Sequence, residues 1–212
     1  MKIKKIGHCC LIIETNNKRI ITDPGSYTVD EQTKEKNIDL ILITHEHGDH
    51  LHIESLKKIL VNNPDVKIIT NDGVGKILKE SEIKYEVLEN KNPKEILGVE
   101  LEAHDCKHEE IFEEYGQVQN TGFFIDKILF YPGDAFYNPG KHIEILALPV
   151  AGPWTRIKDF LKYTLEIKPT VCFPVHDGGL KSLELTYKLA KMFLTKSGIV
   201  FKTFEENKIE EF

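Results

Sequence analysis

A hexapeptide of three imidazoles and two carboxylates, His45-Glu46-His47-Gly48-Asp49-His50, follows directly on the run Ile38-Asp39-Leu40-Ile41-Leu42-Ile43-Thr44. The run is apolar, β-branched and bounded by turn-type residues, so it predicts a buried strand that delivers the cluster at its C-terminal end. Neutral imidazole nitrogen and carboxylate oxygen are the donors that borderline divalent cations such as Zn²⁺ prefer. His-x-His alternation at a strand exit can aim two rings at one ion, and the turn that follows can bring Asp49 and His50 toward a second. One histidine beside an acid is common on protein surfaces. Three histidines and an aspartate within six residues point to a metal site, and the fold has to bring further donors to that strand end.

Short strands are expected over 2–6, 9–15 and 19–23, with Asn16-Asn17 turning the chain between the last two. After the cluster, the spacing of Ile53, Leu56, Ile59 and Leu60 predicts a helix over 52–60 that stops before Pro64. A strand over 66–70, a helix over 74–82 and strands and turns over 85–104 complete the first half. The second half repeats the style, with strands over 122–125, 128–131, 143–150, 170–175 and 199–204 and helices over 157–167 and 180–194. Strands early in each half and helices later suggest two sheets packed face to face with helices outside. At 212 residues the chain fits a single domain spanning 1–212.

Other polar residues stand at comparable strand-to-loop points. Asp23, before Pro24-Gly25, reads either as a turn residue or as a carboxylate orienting a ligand imidazole. Asp134, after Tyr131-Pro132-Gly133, is expected to bridge metals, and His176, after the strand over 170–175, to be a ligand. His104 and His108 compete for one place, since both fall within Ala103-His104-Asp105-Cys106-Lys107-His108. His8 reads as a core imidazole or a neighbour of the site, and His142 as solvated. Trp154, Phe136 and Tyr137 read equally as pocket lining and as ordinary packing aromatics.

The formal charge of −6 and the alternation of lysines with glutamates argue against a nucleic-acid surface. No apolar stretch approaches the ~20 residues of a membrane helix, and the first residues lack a secretory signal. The four cysteines include no CxxC pair; Cys9, Cys10 and Cys172 read as small buried residues, while Cys106, two positions before His108, is close enough to approach a metal. Free thiols and no signal lead us to expect a cytoplasmic protein.

Thr44-His45-Glu46-His47-Gly48-Asp49-His50, Asp23 in Ile21-Thr22-Asp23-Pro24, Pro132-Gly133-Asp134 and Pro174-Val175-His176-Asp177-Gly178 together resemble the metallo-β-lactamase superfamily, in its metal-dependent hydrolase branch. The opening Gly7-His8-Cys9-Cys10 is similar to the Gly-His-Ser-Ser start of the ascorbate-6-phosphate lactonase-like group. The resemblance implies an α+β fold, a four-layer αβ/βα sandwich, with a two-metal site along one sheet edge. It implies that His45, His47 and a further histidine hold one metal, that Asp49, His50 and His176 hold the other, and that Asp134 bridges them. The step His108-Glu109-Glu110-Ile111 followed by Asn120-Thr121-Gly122 resembles related branches and favours His108 over His104 as the further ligand.

Two divalent ions are therefore expected, Zn²⁺ first, with Mn²⁺ or Fe²⁺ also suited to a site holding several oxygens. The expected activity is hydrolysis of an ester, lactone, thioester or phosphodiester of a small molecule by a hydroxide that the metal pair activates, with Asp49 orienting it. The alternatives are a nuclease of the same fold and a metal-binding module without turnover. An aspartate at 134, where two-zinc β-lactamases carry cysteine, points to the hydrolase branches. A histidine at 47, where redox di-iron members usually carry glutamate, points away from oxygen or nitric oxide reduction.

Overall fold

A computed structural model describes residues 1–212 except Asn90 and Glu206. Strands β1 (Lys2–Gly7), β2 (Cys10–Thr15) and β3 (Lys18–Thr22) form an antiparallel meander. A 3₁₀ turn and the one-turn helix α1 (Val29–Gln32) lead to β4 (Leu40–Leu42), which pairs parallel to β3. Helix α2 (Ile53–Asn62), β5 (Lys67–Thr70), helix α3 (Asp72–Glu80) and β6 (Glu86–Val87) then extend that sheet in parallel register.

The second sheet repeats the plan. Strands β7 (Lys94–Ile96), β8 (Val99–Lys107), β9 (Gln119–Ile125) and β10 (Leu129–Tyr131) run antiparallel. They are followed by β11 (Ile145–Pro149), helix α4 (Ile157–Ile167), β12 (Val171–Val175), helix α5 (Glu184–Thr195) and β13 (Val200–Phe201), with β11 to β13 parallel. The last strand, β14 (Ile209–Glu211), crosses back to pair with β1, so both sheets have seven strands.

Period-two alternation distributes the apolar residues over three layers of core. Leu11, Ile13, Ile20, Leu40 and Leu42 face Leu101, Phe123, Leu129, Ala147 and Phe173 between the sheets. The intervening Cys10, Ile12, Ile21 and Ile41 pack under Leu56 and Ile59 of α2 and Val74 and Leu78 of α3. On the far side, Phe130, Leu146 and Cys172 meet Phe160 of α4 and Ala190 and Leu194 of α5. Strands covered on both faces need the near-continuous apolar runs seen at Leu40–Leu42 and Ile145–Pro149. The outcome is the expected four-layer αβ/βα sandwich.

Several boundaries differ from expectation. Helix α5 begins at Glu184 rather than 180, because Leu180 to Ser182 still belong to the turn that follows His176. Strand β13 ends at Phe201, and β4 is confined to three residues because Thr44 already bonds outside its own sheet. Helix α1 and strand β14 were not anticipated. The four cysteines are free, three buried and Cys106 partly so. No helix among the described residues is long and apolar enough to cross a membrane.

Candidate metal centre

Asp23, the segment from Thr44 to His50, His108, Asp134 and His176 meet at one edge of the sandwich, each following the C-terminal end of a strand. β4 leads to the segment from Thr44 to His50, β8 to His108, β10 to Asp134 and β12 to His176. Thr44 joins the two sheets there, since its carbonyl accepts from Thr121 N at 2.9 Å and from Asn71 Nδ2 at 2.8 Å. Asn71 Nδ2 also donates to Thr121 Oγ1 at 3.0 Å, and its Oδ1 caps α3 by accepting from Val74 N.

Three imidazoles, His45, His47 and His108, present nitrogens within 4.8 Å of one another. On the other side, His176 Nε2 lies 3.3 Å and His50 Nε2 3.8 Å from Asp49 Oδ2. Asp134 stands between the two groups. Its carboxylate is 3.2 Å from His50 Nε2, 2.8 Å from His176 Nε2, 3.3 Å from His108 Nε2 and 3.9 Å from His45 Nε2.

Backbone geometry aims these side chains. Gly133 has φ +64°, and a Cβ there would come within 2.3 Å of Asn120 Oδ1, so only glycine fits the turn that presents Asp134. Asn120 Oδ1 accepts from Asp134 N at 3.0 Å while its Nδ2 donates to Pro132 O at 2.8 Å. At Gly25 a Cβ would fall 1.7 Å from the Asp49 carbonyl oxygen, because the Asp23-Pro24-Gly25 turn runs directly against the loop that carries Asp49 and His50. The bond from Ser26 N to Gly48 O secures the same contact.

Asp23 resolves to the orienting role. Its fully buried carboxylate accepts from Thr44 N and Thr44 Oγ1, both at 2.8 Å, and lies 2.6 Å from the Tyr131 hydroxyl. Its Oδ2 is also 2.7 Å from His50 Nδ1, so that nitrogen donates and Nε2 is turned toward Asp134. The same logic applies at His108, whose Nδ1 lies 2.6 Å from the Glu109 carbonyl, and at His45, whose Nδ1 faces Thr44 Oγ1 at 3.0 Å.

His8 has the opposite tautomer. Gly178 N donates to its Nδ1 at 3.1 Å, so Nε2 carries the proton and donates to Asp49 Oδ2 at 3.2 Å. Its ring stacks on Tyr27 with centroids 4.2 Å apart. Behind His176, the buried Lys5 ammonium bonds Asp177 Oδ2 at 2.5 Å and Pro174 O at 3.0 Å, and Tyr187 also reaches Asp177. This network pins the turn in which His176 has φ +59°.

Charge follows from the packing. Burial opposes ionisation of Asp134, yet the neighbouring His50 and His176 outweigh it and hold the carboxyl well below the usual carboxylate range. Asp49 behaves likewise, with burial overcome by the imidazoles of His176 and His8 beside it. Burial pushes His45 and His47 down, assisted by His50 and His108 respectively, which favours the neutral rings that metal binding needs.

The donor set fits a divalent cation. Among the described residues, six buried side-chain nitrogens and oxygens have no hydrogen-bond partner: His45 Nε2, His50 Nε2, His176 Nε2 and Asp134 Oδ1 sit in this cluster, and the other two are the ring nitrogens of His104. Buried polar atoms are seldom left so. Cys9, expected only to pack, also brings its sulfur within 4.8 Å of donors from His8, His50 and His176, with its thiol kept neutral by burial.

The remaining expectations separate cleanly. His104 lies on the opposite face of β8, 2.9 Å from Glu102 and beside Phe130 and Tyr137, away from the cluster. Cys106 pairs with Asn120 Nδ2 at 3.3 Å, and burial raises its thiol to about 11. His142 is exposed, and His52 caps α2. Trp154 lines the cleft above the site, whereas Phe136 and Tyr137 pack under it against Tyr163 and His104. Sequence reasoning missed Thr44, Asn71, Asn120 as a positioning group, Tyr131 and the Lys5–Asp177 pair. Thr44, Asn120, Tyr131 and Asp177 stood inside or beside quoted motifs without a role, whereas Asn71 and Lys5 gave no signal.

Comparison with known proteins agrees with this architecture. A family model described as a beta-lactamase superfamily domain matches residues 2–176. A UPF0173 metal-dependent hydrolase of Pyrococcus abyssi is 27% identical over 200 residues, covering 83% of this chain and 84% of that protein. The solved structure of a candidate metal-dependent hydrolase from Parabacteroides distasonis is 28% identical, with TM-score 0.77, covering 96% of this chain and 92% of the other. Igni18, a metallo hydrolase from the archaeon Ignicoccus hospitalis, superimposes with TM-score 0.78 at 18% identity over 100% of this chain and 98% of its own.

Proposed function

The chain belongs to the β-lactamase superfamily, and we propose that within it the protein is a metal-dependent hydrolase whose site holds two divalent cations. The observation that carries this reading is the convergence of four buried, unpartnered donor atoms from His45, His50, His176 and Asp134. His45, His47 and His108 would hold one cation, Asp49, His50 and His176 the other, and Asp134 would touch both. Five imidazoles with two carboxylates suit Zn²⁺, and Mn²⁺ or Fe²⁺ fit as well.

Bound divalent cations supply hydroxide at neutral pH and polarise the oxygen of the bond under attack. The protein's own groups do the rest. Asp23 and the Glu109 carbonyl fix the imidazoles of His50 and His108 with Nε2 inward, so no reorganisation is needed on loading. Asp49, partly exposed and gripped by His8, faces the cleft and is placed to orient the nucleophile and to return a proton to the leaving group. Trp154 lines one side of the site, near His108 and His176, and offers it an apolar wall.

Elemental analysis of the purified protein should find close to two divalent ions per chain, and none after replacing His45 and His47 together by alanine. The loaded protein should hydrolyse members of a panel of lactones, esters, thioesters, β-lactams and phosphodiesters. Turnover that survives Asp49→Ala or His50→Ala on any such substrate overturns the mechanism. A binding module without turnover would load equally and hydrolyse nothing.

A further inference from the structure

The cleft above the metal-facing groups has a volume of about 500 Å³ and two walls of different origin. One wall is the loop 109–118 between β8 and β9, which contributes Ile111 and Tyr115; the other is the loop after β11, which contributes Pro153 and Trp154. The first loop is a closed structure. His108 N donates to Val118 O at 3.0 Å across its base, and Phe112 and Tyr115 form a bridge at its tip. Both tip aromatics stand in solvent, 70% and 74% exposed, although nothing in the fold requires them there. Trp154 is fixed by Phe136, with ring centroids 5.4 Å apart, and lies 5.8 Å from His108 and 5.6 Å from His176. An apolar surface thus extends from the reacting centre to the loop tip.

Charge on the same loop runs one way. Glu109, Glu110, Glu113 and Glu114 lie in it, with no lysine or arginine between 109 and 118. Among the described residues lining the cleft there is likewise no lysine or arginine. Phosphate and carboxylate groups are held by such cations or by helix N-termini. With no such cation in its lining, and with four carboxylates on the loop that rims one side, the cleft gives an anionic substrate no protein group to pair with.

We infer that the substrate is an uncharged carboxylic ester, thioester or lactone whose apolar chain or ring lies along Trp154, Ile111 and Tyr115. This inference rests on the hydrolase reading and narrows it. In the reaction, water adds its oxygen to the acyl carbon, the bond from that carbon to the leaving oxygen or sulfur breaks, and the proton passes to the leaving atom. Nothing beyond water is consumed.

The test uses the full chain loaded with Zn²⁺ and 4-nitrophenyl esters that share one leaving group: acetate, butyrate, octanoate and the anionic hemiglutarate. Bis(4-nitrophenyl) phosphate is the phosphodiester. We expect chelator-sensitive turnover with kcat/KM rising roughly tenfold or more from acetate to octanoate, since each added methylene removes apolar surface from water. Butyrate should exceed hemiglutarate severalfold, and added salt should narrow that gap by screening the rim. Ile111→Ser and Tyr115→Ser should flatten the chain-length dependence. Glu110→Gln with Glu114→Gln should raise the anionic ester selectively, while Val61→Ser, a remote exposed site on α2, should leave the profile as it is.

A flat profile, a preference for hemiglutarate, or a phosphodiester kcat/KM equal to that of the esters overturns the substrate class and leaves metal-dependent hydrolysis standing. Absence of chelator-sensitive turnover on every compound overturns the hydrolase reading, and this inference with it.

Discussion

Asp23 shows how much one carboxylate settles. Two bonds to Thr44, one to Tyr131 and one to His50 engage its oxygens, so the strand end, the second sheet and the His50 ring are oriented by a single side chain. His8 works through another residue. Fixed by the Gly178 amide and by stacking on Tyr27, it can only donate toward Asp49. Replacing His8 by alanine should lower kcat by about 10- to 100-fold, the usual cost of losing an outer hydrogen-bond partner. Metal content measured by elemental analysis should stay near that of the wild type, and His8→Gln, with an amide N–H of similar reach, should recover part of the loss. Metal lost in step with kcat would make His8 a structural group instead.

At the scale of elements, the strand ends carry the candidate site and were the most legible part of the chain. Buried strands such as Leu40–Leu42 and Val171–Val175 announce themselves by apolar runs, and the acids and histidines after them stand out by type. Short polar elements do not. α1 has four residues and no periodicity, and β14, Ile-Glu-Glu, is held by backbone bonds to β1 that leave no apolar trace. Asn71 was equally silent, because an asparagine before a helix looks like a cap whatever else it holds. Here its amide also ties α3 to Thr44 and Thr121, across the junction of the sheets. Asn71→Ala should therefore cost about 2–3 kcal/mol, more than an ordinary cap of ~1 kcal/mol, since buried acceptors lose their donor. Urea denaturation of the metal-loaded protein gives the value, and a cost under 1 kcal/mol would leave the cross-sheet bonds without weight.

For the molecule as a whole, the two sheets repeat one plan, and the site belongs to neither alone. The first contributes His8, Asp23 and the segment from His45 to His50; the second contributes His108, Asp134 and His176, and the chain passes from β6, ending at Val87, to β7, starting at Lys94. β14 travels the other way, so the second half also supplies the strand that flanks β1. This strand, together with the shared site, makes the chain suited to reassembly from pieces. Cleaved between Lys91 and Asn92, it should yield fragments that separately retain no zinc through gel filtration and that, once co-refolded, recover both a single elution peak and the ion, converting subunit encounter into a metal signal.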